Sequence, residues 1–523
     1  MEPRHYQSSL NNQLLLSKKI TPVLSHAIRV FTNSNAEVAM EVEKPKIDVD
    51  VRSSDGEETQ PEQIDYQAEK RLVRKIDKYI VPMVMITYLL CFLDRTNIGN
   101  ARLFGLEDDL GLHGNQYQLA VAVLFIPYVL VEVPSNVLLK KFTPSKWLAA
   151  ITFSWGIVST MMGVVQNFGG LIACRLLLGL LEGGLFPGLT VYLTMFYTKQ
   201  ELALRIGYLF VSSALAGACG GLLAYGIGFM DGTAGLAGWR WVFILEGIPT
   251  VLFGVVIWLF LADSPETAWY LNDDERRLLV TRLERQTGFY QEFDKKDAIL
   301  AFKDWKVWLF AAGQFGVNSM LYSYSVFLPS IIKGLGDWTS PQAQALTVPC
   351  YILGAISYLI VAKLSDMHQL RGVYQVVFAS ICIVGYGISI ANVGSAVHYF
   401  ATFLISLGLF VAVGIPLAWL PSNNPRYGKR TTASAIQIMV CNCSGIVAPF
   451  LYPTSDAPRY IMGYSVSIAL LGYGIVIYAF LSLYLNHVNQ RRRAGKEDYK
   501  MDGLSEEQIK ALGDRSPRFI YTI

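Results

Sequence analysis

The chain has 523 residues, of which 52% are hydrophobic and only 16% are charged, and its mean hydropathy is +0.35. Soluble domains carry about 25% charged residues, so this composition argues against an ordinary soluble enzyme. A formal net charge of +3 gives no bulk attraction to nucleic acid. The seven cysteines fall inside apolar segments without paired spacing, which excludes a secreted disulfide framework.

Apolar stretches of bilayer-spanning length recur along the chain. A helix needs about 20 mostly apolar residues to cross a membrane. Six such stretches precede a polar gap and six follow it, which predicts an all-α membrane protein with twelve transmembrane helices in two halves. The predicted spans are 79–97, 117–139, 147–165, 170–196, 206–230, 239–262, 305–332, 343–362, 373–391, 397–420, 432–452 and 461–485.

These spans divide the chain into five predicted parts. A largely disordered N-terminal tail, a six-helix half, a central loop, a second six-helix half and a C-terminal tail follow one another. Their predicted bounds are 1–78, 79–262, 263–304, 305–485 and 486–523. In the central loop, Asn272-Asp273-Asp274 is a pattern that caps a helix, and we expect that helix to run to Gln286.

The distribution of Lys and Arg predicts the orientation of the spans. Lys and Arg are concentrated in four loops, which connect span 2 to 3, span 4 to 5, span 8 to 9 and span 10 to 11. Positive loops face the cytoplasm, so both tails and the central loop are predicted to be cytoplasmic. We expect the plasma membrane as the location. Met40 is a second candidate start of translation beside Met1.

Several chemical signatures are missing from the sequence. There is no GxxxxGK[ST] pattern for an ATP site, and the six histidines form neither HxxxH nor HExxH. Neither a metal nor a cofactor is therefore predicted. Enzymatic activity is the disfavoured hypothesis.

Ionisable side chains inside the predicted spans are the main functional signal of the first half. At bilayer depth each one costs at least about 2.5–3.5 kcal/mol, so each is a candidate for function. These residues are Asp94, Arg95, Glu132, Arg175, Glu182, Arg240 and Glu246. The spans of the second half contain neutral polar residues instead, which indicates charge chemistry in the first half and neutral recognition in the second.

Spacing suggests how four of these charges are used. Arg175 and Glu182 are seven apart and share a helix face, while Asp94 and Arg95 lie on neighbouring faces. An Asp94–Arg175 ion pair would leave Arg95 free to bind an anion with its two-donor fork. Glu182 would then suit a proton carrier. The alternative is that these charges form ion pairs that only fix helix packing, and the charges alone favour neither hypothesis.

The remaining polar residues receive more modest interpretations. Glu132 lies near the predicted cytoplasmic end of span 2, where its carboxylate would reach loop groups, and Glu246 follows Arg240 near the outer end of span 6. Arg240 and Glu246 are interpreted as structural, and Glu132 as structural or gating. In the second half, Asn318 and Tyr322 share a face of span 7. They either join helices or contact substrate.

Several sequence motifs resemble a known family. Six plus six spans, with Ala362-Lys363-Leu364-Ser365-Asp366 and Arg371-Gly372 in loop 8–9, resemble the major facilitator superfamily. The lysine-rich loop 139–147 and the strings at 92–101, 175–188 and 238–241 resemble a fungal subgroup, the anion:cation symporters of the allantoate and nicotinate permease type.

The resemblance implies roles for particular residues. Arg95 would bind the substrate anion, Asp94 and Glu182 would carry protons, and Arg175 would pair with an acid. Asn442 would contact substrate, as Tyr322 and Asn318 are also predicted to do. Asp366 and Arg371 would form a structural pair, because the loop motif uses its Asp to cap and pair across helices.

Together these features predict proton-coupled import of a small organic anion by alternating access. The anion would be nicotinate or a related carboxylate. The expected partners are this substrate, protons and the lipid bilayer, with no nucleic acid, and the protein is expected to be monomeric. Two alternatives are an exporter of a carboxylate secondary metabolite and a nutrient sensor that binds without transporting.

Overall fold

A computed structural model describes residues 66–286, 295–453, 456–457 and 459–523. Within those residues every regular element is helical. The predicted all-α class is therefore confirmed for this part of the chain. The predictions for residues 1–65, including the alternative start at Met40, concern residues outside the described part of the chain.

The first half of the bundle is built from nine α-helices. They are α1 (Tyr66–Arg102), α2 (Leu106–Asp109), α3 (Gln116–Ala122), α4 (Phe125–Lys141), α5 (Pro144–Met162), α6 (Phe168–Glu182), α7 (Leu185–Phe196), α8 (Lys199–Ile227) and α9 (Gly238–Phe260). The central segment adds α10 (Asp273–Gln286), which matches the helix predicted there, and α11 (Lys295–Lys303).

The second half contains six long helices and one short helix near the end of the chain. They are α12 (Trp305–Lys333), α13 (Ser340–His368), α14 (Arg371–Ile390), α15 (Ser395–Ser422), α16 (Tyr427–Val447), α17 (Ile461–Arg493) and α18 (Glu506–Ala511).

Nine helical stretches in the described residues are long and apolar enough to cross a membrane. The predicted spans at 117–139, 147–165 and 305–332 coincide with α3–α4, α5 and α12, which are not among these nine. A multi-pass helical bundle is thus established. The count of twelve spans stays a prediction.

The helix α1 begins well before the first predicted span. Its first turns, at Tyr66 to Lys78, fall in the segment predicted as tail. Leu72, Ile76 and Ile80 recur every fourth residue and are buried, so one face of the extension packs against the bundle. On its other faces, Lys75 pairs with Glu275 of α10 at 2.6 Å.

A break at Gly183-Gly184 divides the predicted fourth span into α6 and α7. It leaves Glu182 as the last residue of α6. A Cβ atom at Gly183 would lie 2.5 Å from the carbonyl oxygen of Tyr128, and one at Gly179 only 2.0 Å from that of Leu124. Only glycine permits this approach, which brings the end of α6 against α4.

Two faces of the bundle can be defined from the helix ends. The proximal face is the end at which α1 begins and α17 finishes, and the distal face is the end at which α1 and α12 finish. Close backbone contacts between the two halves lie toward the distal face. There Gly99 of α1 meets the backbone of Val326, and Gly221 of α8 meets Thr347 of α13.

Candidate functional site

A buried ion pair joins Arg95 of α1 to Glu182 of α6. The Arg95 Nε donates to Glu182 Oε2 at 2.9 Å, and the two side chains are 8% and 0% exposed. The guanidinium lies 4.4 Å from the ring centre of Tyr128. Cys91 bridges the pair, because its Sγ accepts from Arg95 at 3.4 Å and donates to Glu182 at 3.5 Å. The fork of Arg95 is therefore held in place by a carboxylate and an aromatic face.

Asp94, the neighbour of Arg95, faces a different set of helices. Its carboxylate accepts hydrogen bonds from Ser159 Oγ at 2.5 Å, Trp155 Nε1 at 3.0 Å and Thr250 Oγ1 at 3.4 Å. One residue of helix turns the side chain by about 100°, so Asp94 faces α5 and α9 while Arg95 faces α6. Three donors satisfy this carboxylate without a cation.

The predicted ion pair between Asp94 and Arg175 is wrong. Arg175 is 1% exposed, and its Nε donates to the carbonyl oxygen of Ala120 at 3.2 Å. It lies about two turns from Glu182 along α6, nearer the distal face. Asp94 instead faces α5 and α9. The acid that forms an ion pair in this region is Glu182, and its partner is Arg95.

Glu246 and Asn97 form a second buried polar group near Asp94. Glu246 is 2% exposed and Asn97 is fully buried, and the two side chains lie within hydrogen-bonding reach of each other. Arg240, two turns earlier on α9, instead pairs with Asp109 at 3.0 Å and donates to the carbonyl of Val165 at 2.7 Å. Glu246 and Arg240, although both on α9, therefore contact different residues.

A hydrogen-bonded chain crosses from the second half to the first. Tyr322 Oη donates to Asn442 Oδ1 at 3.0 Å, and Asn442 Nδ2 donates to Glu132 Oε2 at 3.4 Å. Asn318 lies one turn before Tyr322 on α12, and its amide donates to Cys441 O and Ser444 Oγ, each at 3.0 Å. This amide thus joins α12 to α16.

The expectation that Glu132 reaches loop groups is wrong. Its carboxylate contacts Asn442 inside the bundle and is 4% exposed. Hydropathy placed it near a helix end, but α4 continues through Lys141. The carboxylate therefore lies deeper in the bundle than its position in the predicted span indicated.

The residues predicted to bind substrate meet around a central cavity. Two adjoining pockets share Phe92, Arg95 and Tyr322. Asn318 and Asn442 line one of them, and Arg175 lines the other. The remaining wall is mostly aromatic or aliphatic: Tyr88, Val121, Leu124, Phe125, Tyr128, Phe186, Phe210, Leu321, Val326, Phe327, Leu417 and Ile438. Such a cavity suits a small molecule with an apolar body and an anionic group.

The loop-motif residues lie away from this cavity, at the proximal face. Arg371 pairs with Asp366 at 2.9 Å and also donates to Ser422 Oγ at 3.3 Å and to the carbonyl of Ala418. These contacts connect α13, α14 and α15. No cluster of three or more metal-ligating side chains is present in the described ranges.

Sequence reasoning missed three side chains that shape the site. Tyr128 supports the Arg95 guanidinium, and Trp155 and Ser159 hold the Asp94 carboxylate. Trp155 and Ser159 are four apart on α5, which is a usable signal for one polar helix face. Tyr128 gave no such signal. Aromatic residues make up 12% of the chain, so a single tyrosine in a predicted span does not stand out.

The family model of the Major Facilitator Superfamily matches residues 84–449. This chain belongs to the major facilitator superfamily. Its members are transporters that carry small molecules and sit in a membrane, so the chain is a multi-pass membrane transporter and not an enzyme. The superfamily membership predicted from the motifs is confirmed.

Individual relatives are fungal transporters. An uncharacterised transporter of Schizosaccharomyces pombe is 42% identical over 432 residues, which cover 82% of this chain and 86% of that protein. The high-affinity nicotinic acid transporter of Saccharomyces cerevisiae is 32% identical over 455 residues, which cover 87% of this chain and 85% of that protein.

Solved transporters of low sequence identity share the fold. A bacterial homologue of the human lysosomal transporter Spinster, in an inward-facing and occupied conformation, superposes with a TM-score of 0.60 at 16% identity. The match covers 78% of this chain and 97% of that one. The xylose transporter of E. coli gives a TM-score of 0.59 at 12% identity, covering 77% and 97% of the two chains. The superfamily fold is thereby established.

Proposed function

We propose that the protein imports a small organic carboxylate together with protons by alternating access. The observation that carries this proposal is the buried Arg95–Glu182 ion pair, of which Arg95 lines the central cavity. Arg95 supplies the fork that a carboxylate prefers, and Glu182 supplies a group that can exchange a proton. The plasma membrane and the cytoplasmic position of both termini are part of this proposal.

The geometry supports a specific coupling mechanism. While Glu182 is ionised it occupies Arg95, so an incoming substrate carboxylate has to compete with it. A proton from water on Glu182 breaks the 2.9 Å ion pair and frees the guanidinium for the substrate. Leaving one partner of a buried ion pair alone costs about 3–5 kcal/mol. This cost disfavours the state in which Glu182 is protonated but no substrate is bound, because Arg95 is then unpaired. It also disfavours the state in which substrate is bound but Glu182 is ionised, because Glu182 is then unpaired.

Proton cotransport also removes an electrical obstacle to import. An inward-negative membrane potential opposes anion entry by about 2.3 kcal/mol per charge per 100 mV. One proton per carboxylate charge cancels this opposition, and further protons reverse it. Release follows on the side where the proton concentration is lower, as the Arg95–Glu182 pair forms again.

A carboxylate substrate is supported by a relative as well as by Arg95. The S. cerevisiae relative is named for nicotinic acid, a small aromatic carboxylate. The aromatic wall of the cavity, with Phe92 and Phe125, offers faces on which such a ring can pack. Competition of uptake by a panel of carboxylates in cells expressing the protein identifies the substrate.

The coupling mechanism is tested by Glu182→Gln. We expect this variant to lose uptake against a substrate gradient but to keep exchange of substrate across the membrane, because its neutral side chain imitates a permanently protonated Glu182. Both activities are measured in vesicles with and without a pH gradient. Glu107→Gln is the control, since it removes a carboxylate from an ion pair outside the cavity. Equal loss of uptake and exchange at normal surface expression would leave Glu182 with a structural role only.

A further inference from the structure

Glu132 is a buried carboxylate for which the proposed coupling mechanism has no use. Its side chain is 4% exposed, and no Lys or Arg in the described ranges forms an ion pair with it. In the described residues its side chain accepts one hydrogen bond, from Asn442 Nδ2 to Glu132 Oε2, and the distance of 3.4 Å is long for such a bond. Carboxylates inside a membrane bundle are costly and mark pathways or binding sites, so a second acid beside the cavity requires an explanation.

The position of Glu132 relates it directly to the anion-binding side of the cavity. Tyr128, one helical turn earlier on α4, lines the cavity and carries the Arg95 guanidinium on its ring. Four residues of helix rise by about 6 Å, which is on the scale of a small substituted ring. Tyr322 and Asn442, through which Glu132 is connected, line the same pocket as Arg95. The acidic group of Glu132 therefore lies one side chain, that of Asn442, behind the wall of the pocket that Arg95 lines.

We propose that Glu132 hydrogen-bonds a nitrogen of the substrate while Arg95 holds its carboxylate, so that the transporter selects amphoteric, nitrogen-bearing carboxylates over nitrogen-free ones. This inference rests on the proposed function and adds the substrate class to it. A substrate N–H donates to the ionised Glu132. A basic ring nitrogen carries no N–H at neutral pH, so Glu132 then takes a proton from water and donates it in a hydrogen bond to the nitrogen lone pair. The proton returns to water when the substrate is released.

The same contacts permit a purely structural role, and the two roles make different predictions. If Glu132 only bridges the halves through Asn442, then Glu132→Gln keeps an oxygen that accepts from Asn442 and changes nothing. If Glu132 binds a substrate nitrogen, the loss of the carboxyl group changes which substrates are preferred. The ratio between two matched substrates is therefore more informative than the rate for either one.

The experiment measures uptake of nicotinate and benzoate, two planar carboxylates that differ by one ring nitrogen, in cells that express the full chain. We expect the wild-type protein to prefer nicotinate. Glu132→Leu should lower the nicotinate-to-benzoate ratio by about ten- to a hundredfold, because a buried nitrogen would lose its partner, while benzoate uptake should fall much less than nicotinate uptake. Glu132→Gln should lower the ratio less, since an amide still forms a neutral hydrogen bond. Glu107→Leu is the control outside the cavity.

The possible failures can be told apart. An unchanged ratio in both Glu132 variants, with carboxylate uptake still dependent on Arg95, overturns the nitrogen-binding role and leaves the proposed function intact. An equal fall for both substrates in Glu132→Leu, with Glu132→Gln unaffected, assigns Glu132 to the bridge between the halves and also overturns the inference. If wild-type cells take up no carboxylate from a panel of matched pairs, the proposed function and this inference fail together.

Discussion

The two-donor geometry of Arg95 is the residue-level feature on which the proposed anion binding depends. Its Nε contacts Glu182 and its terminal nitrogen contacts Cys91, while its flat face rests on Tyr128. A lysine would keep the charge, but it has neither a planar face nor a fixed fork. Charge alone is therefore insufficient at this position.

We predict that Arg95→Lys weakens substrate binding by about tenfold or more, the loss expected when a charge-assisted hydrogen bond is removed. Affinity is measured as half-saturation of carboxylate uptake and by direct binding to the purified protein. Arg102→Lys is a matched control, because Arg102 also pairs with a glutamate, Glu107, and also lies on a tyrosine ring, that of Tyr117. An unchanged affinity in Arg95→Lys, or the same loss in Arg102→Lys, would remove Arg95 from the binding site.

For single residues, the sequence identifies which charged side chains are candidates for the site but not which acid pairs with which base. Charges at bilayer depth are rare enough to single out Asp94, Arg95 and Glu182 without a structure. Which acid meets which base depends on the helices that surround α1, and that arrangement is a tertiary property. For this reason Arg175 was assigned the wrong partner, and the role of Tyr128 was missed.

At the scale of elements, the segment that follows α17 is packed rather than loose. Lys429 of α16 is 2% exposed and binds both Asp304 at 2.6 Å and Asp514 at 2.8 Å. Trp419 Nε1 donates to the carbonyl of Thr522 at 2.8 Å, and Gly372 N donates to that of Ile523 at 3.2 Å. The segment thus connects the proximal ends of several helices of the second half.

We predict that Asp514→Asn destabilises the protein by about 1.5–3 kcal/mol, the range for hydrogen bonds to charged groups. The measurement is the apparent melting temperature of the purified protein in detergent. Glu506→Gln is the control in the same segment, since its ion pair with Arg518 is largely exposed and should contribute little. Equal melting temperatures for wild type and Asp514→Asn would show that the segment adds nothing to stability.

The same substitution should have a defined pH dependence. Burial alone would raise the pKa of Asp514, but the ammonium groups of Lys306 and Lys429 outweigh burial and lower it below its usual value. A carboxyl with a lowered folded-state pKa stabilises the fold fully above its unfolded pKa of about 3.9, and this contribution is lost as pH falls through the folded value. The difference between wild type and Asp514→Asn should therefore be constant near neutral pH and shrink below about pH 4.

Helix periodicity explains which elements the sequence reveals. The apolar repeat at Leu72, Ile76 and Ile80 continues α1 beyond the hydropathy peak, so a periodicity criterion would have found the extension that a composition criterion missed. The packing of the last segment could not be foreseen in this way. It depends on hydrogen bonds to the backbone carbonyls of Thr522 and Ile523, and these leave no pattern in the side chains.

For the whole molecule, the contacts between the halves set how the cavity can open. Near the distal face, Gly217 of α8 meets the ring of Tyr351 of α13, and Phe125 of α4 meets the ring of Tyr322 of α12. At the proximal face, Arg282 of α10 forms ion pairs with Glu69 and Glu201. All three residues precede the second half in the chain, so these ion pairs do not join the two halves. The proposed alternating access requires the distal contacts to separate once in each transport cycle.

We therefore predict that a covalent link across the distal contacts stops transport. Position 221 of α8 lies in direct contact with α13, because a Cβ atom there would lie 2.5 Å from Oγ1 of Thr347 and 2.9 Å from the carbonyl oxygen of Gln344. Thr347→Cys replaces the first of these atoms by the sulfur of the cross-link, and the helices must shift slightly to accept Gly221→Cys. Both changes are made in a background without other cysteines, and uptake by the reduced protein shows whether the substitutions alone are tolerated. Oxidation of Gly221→Cys/Thr347→Cys should abolish carboxylate uptake, and reduction should restore it, because the halves can then separate again. In the control Gly226→Cys/Thr347→Cys, a Cβ atom at 226 has no neighbour within 4 Å, so oxidation should have no effect. Full uptake by protein that is demonstrably cross-linked between 221 and 347 would mean that these two helices stay together throughout the cycle, and that the halves do not move apart at the distal face.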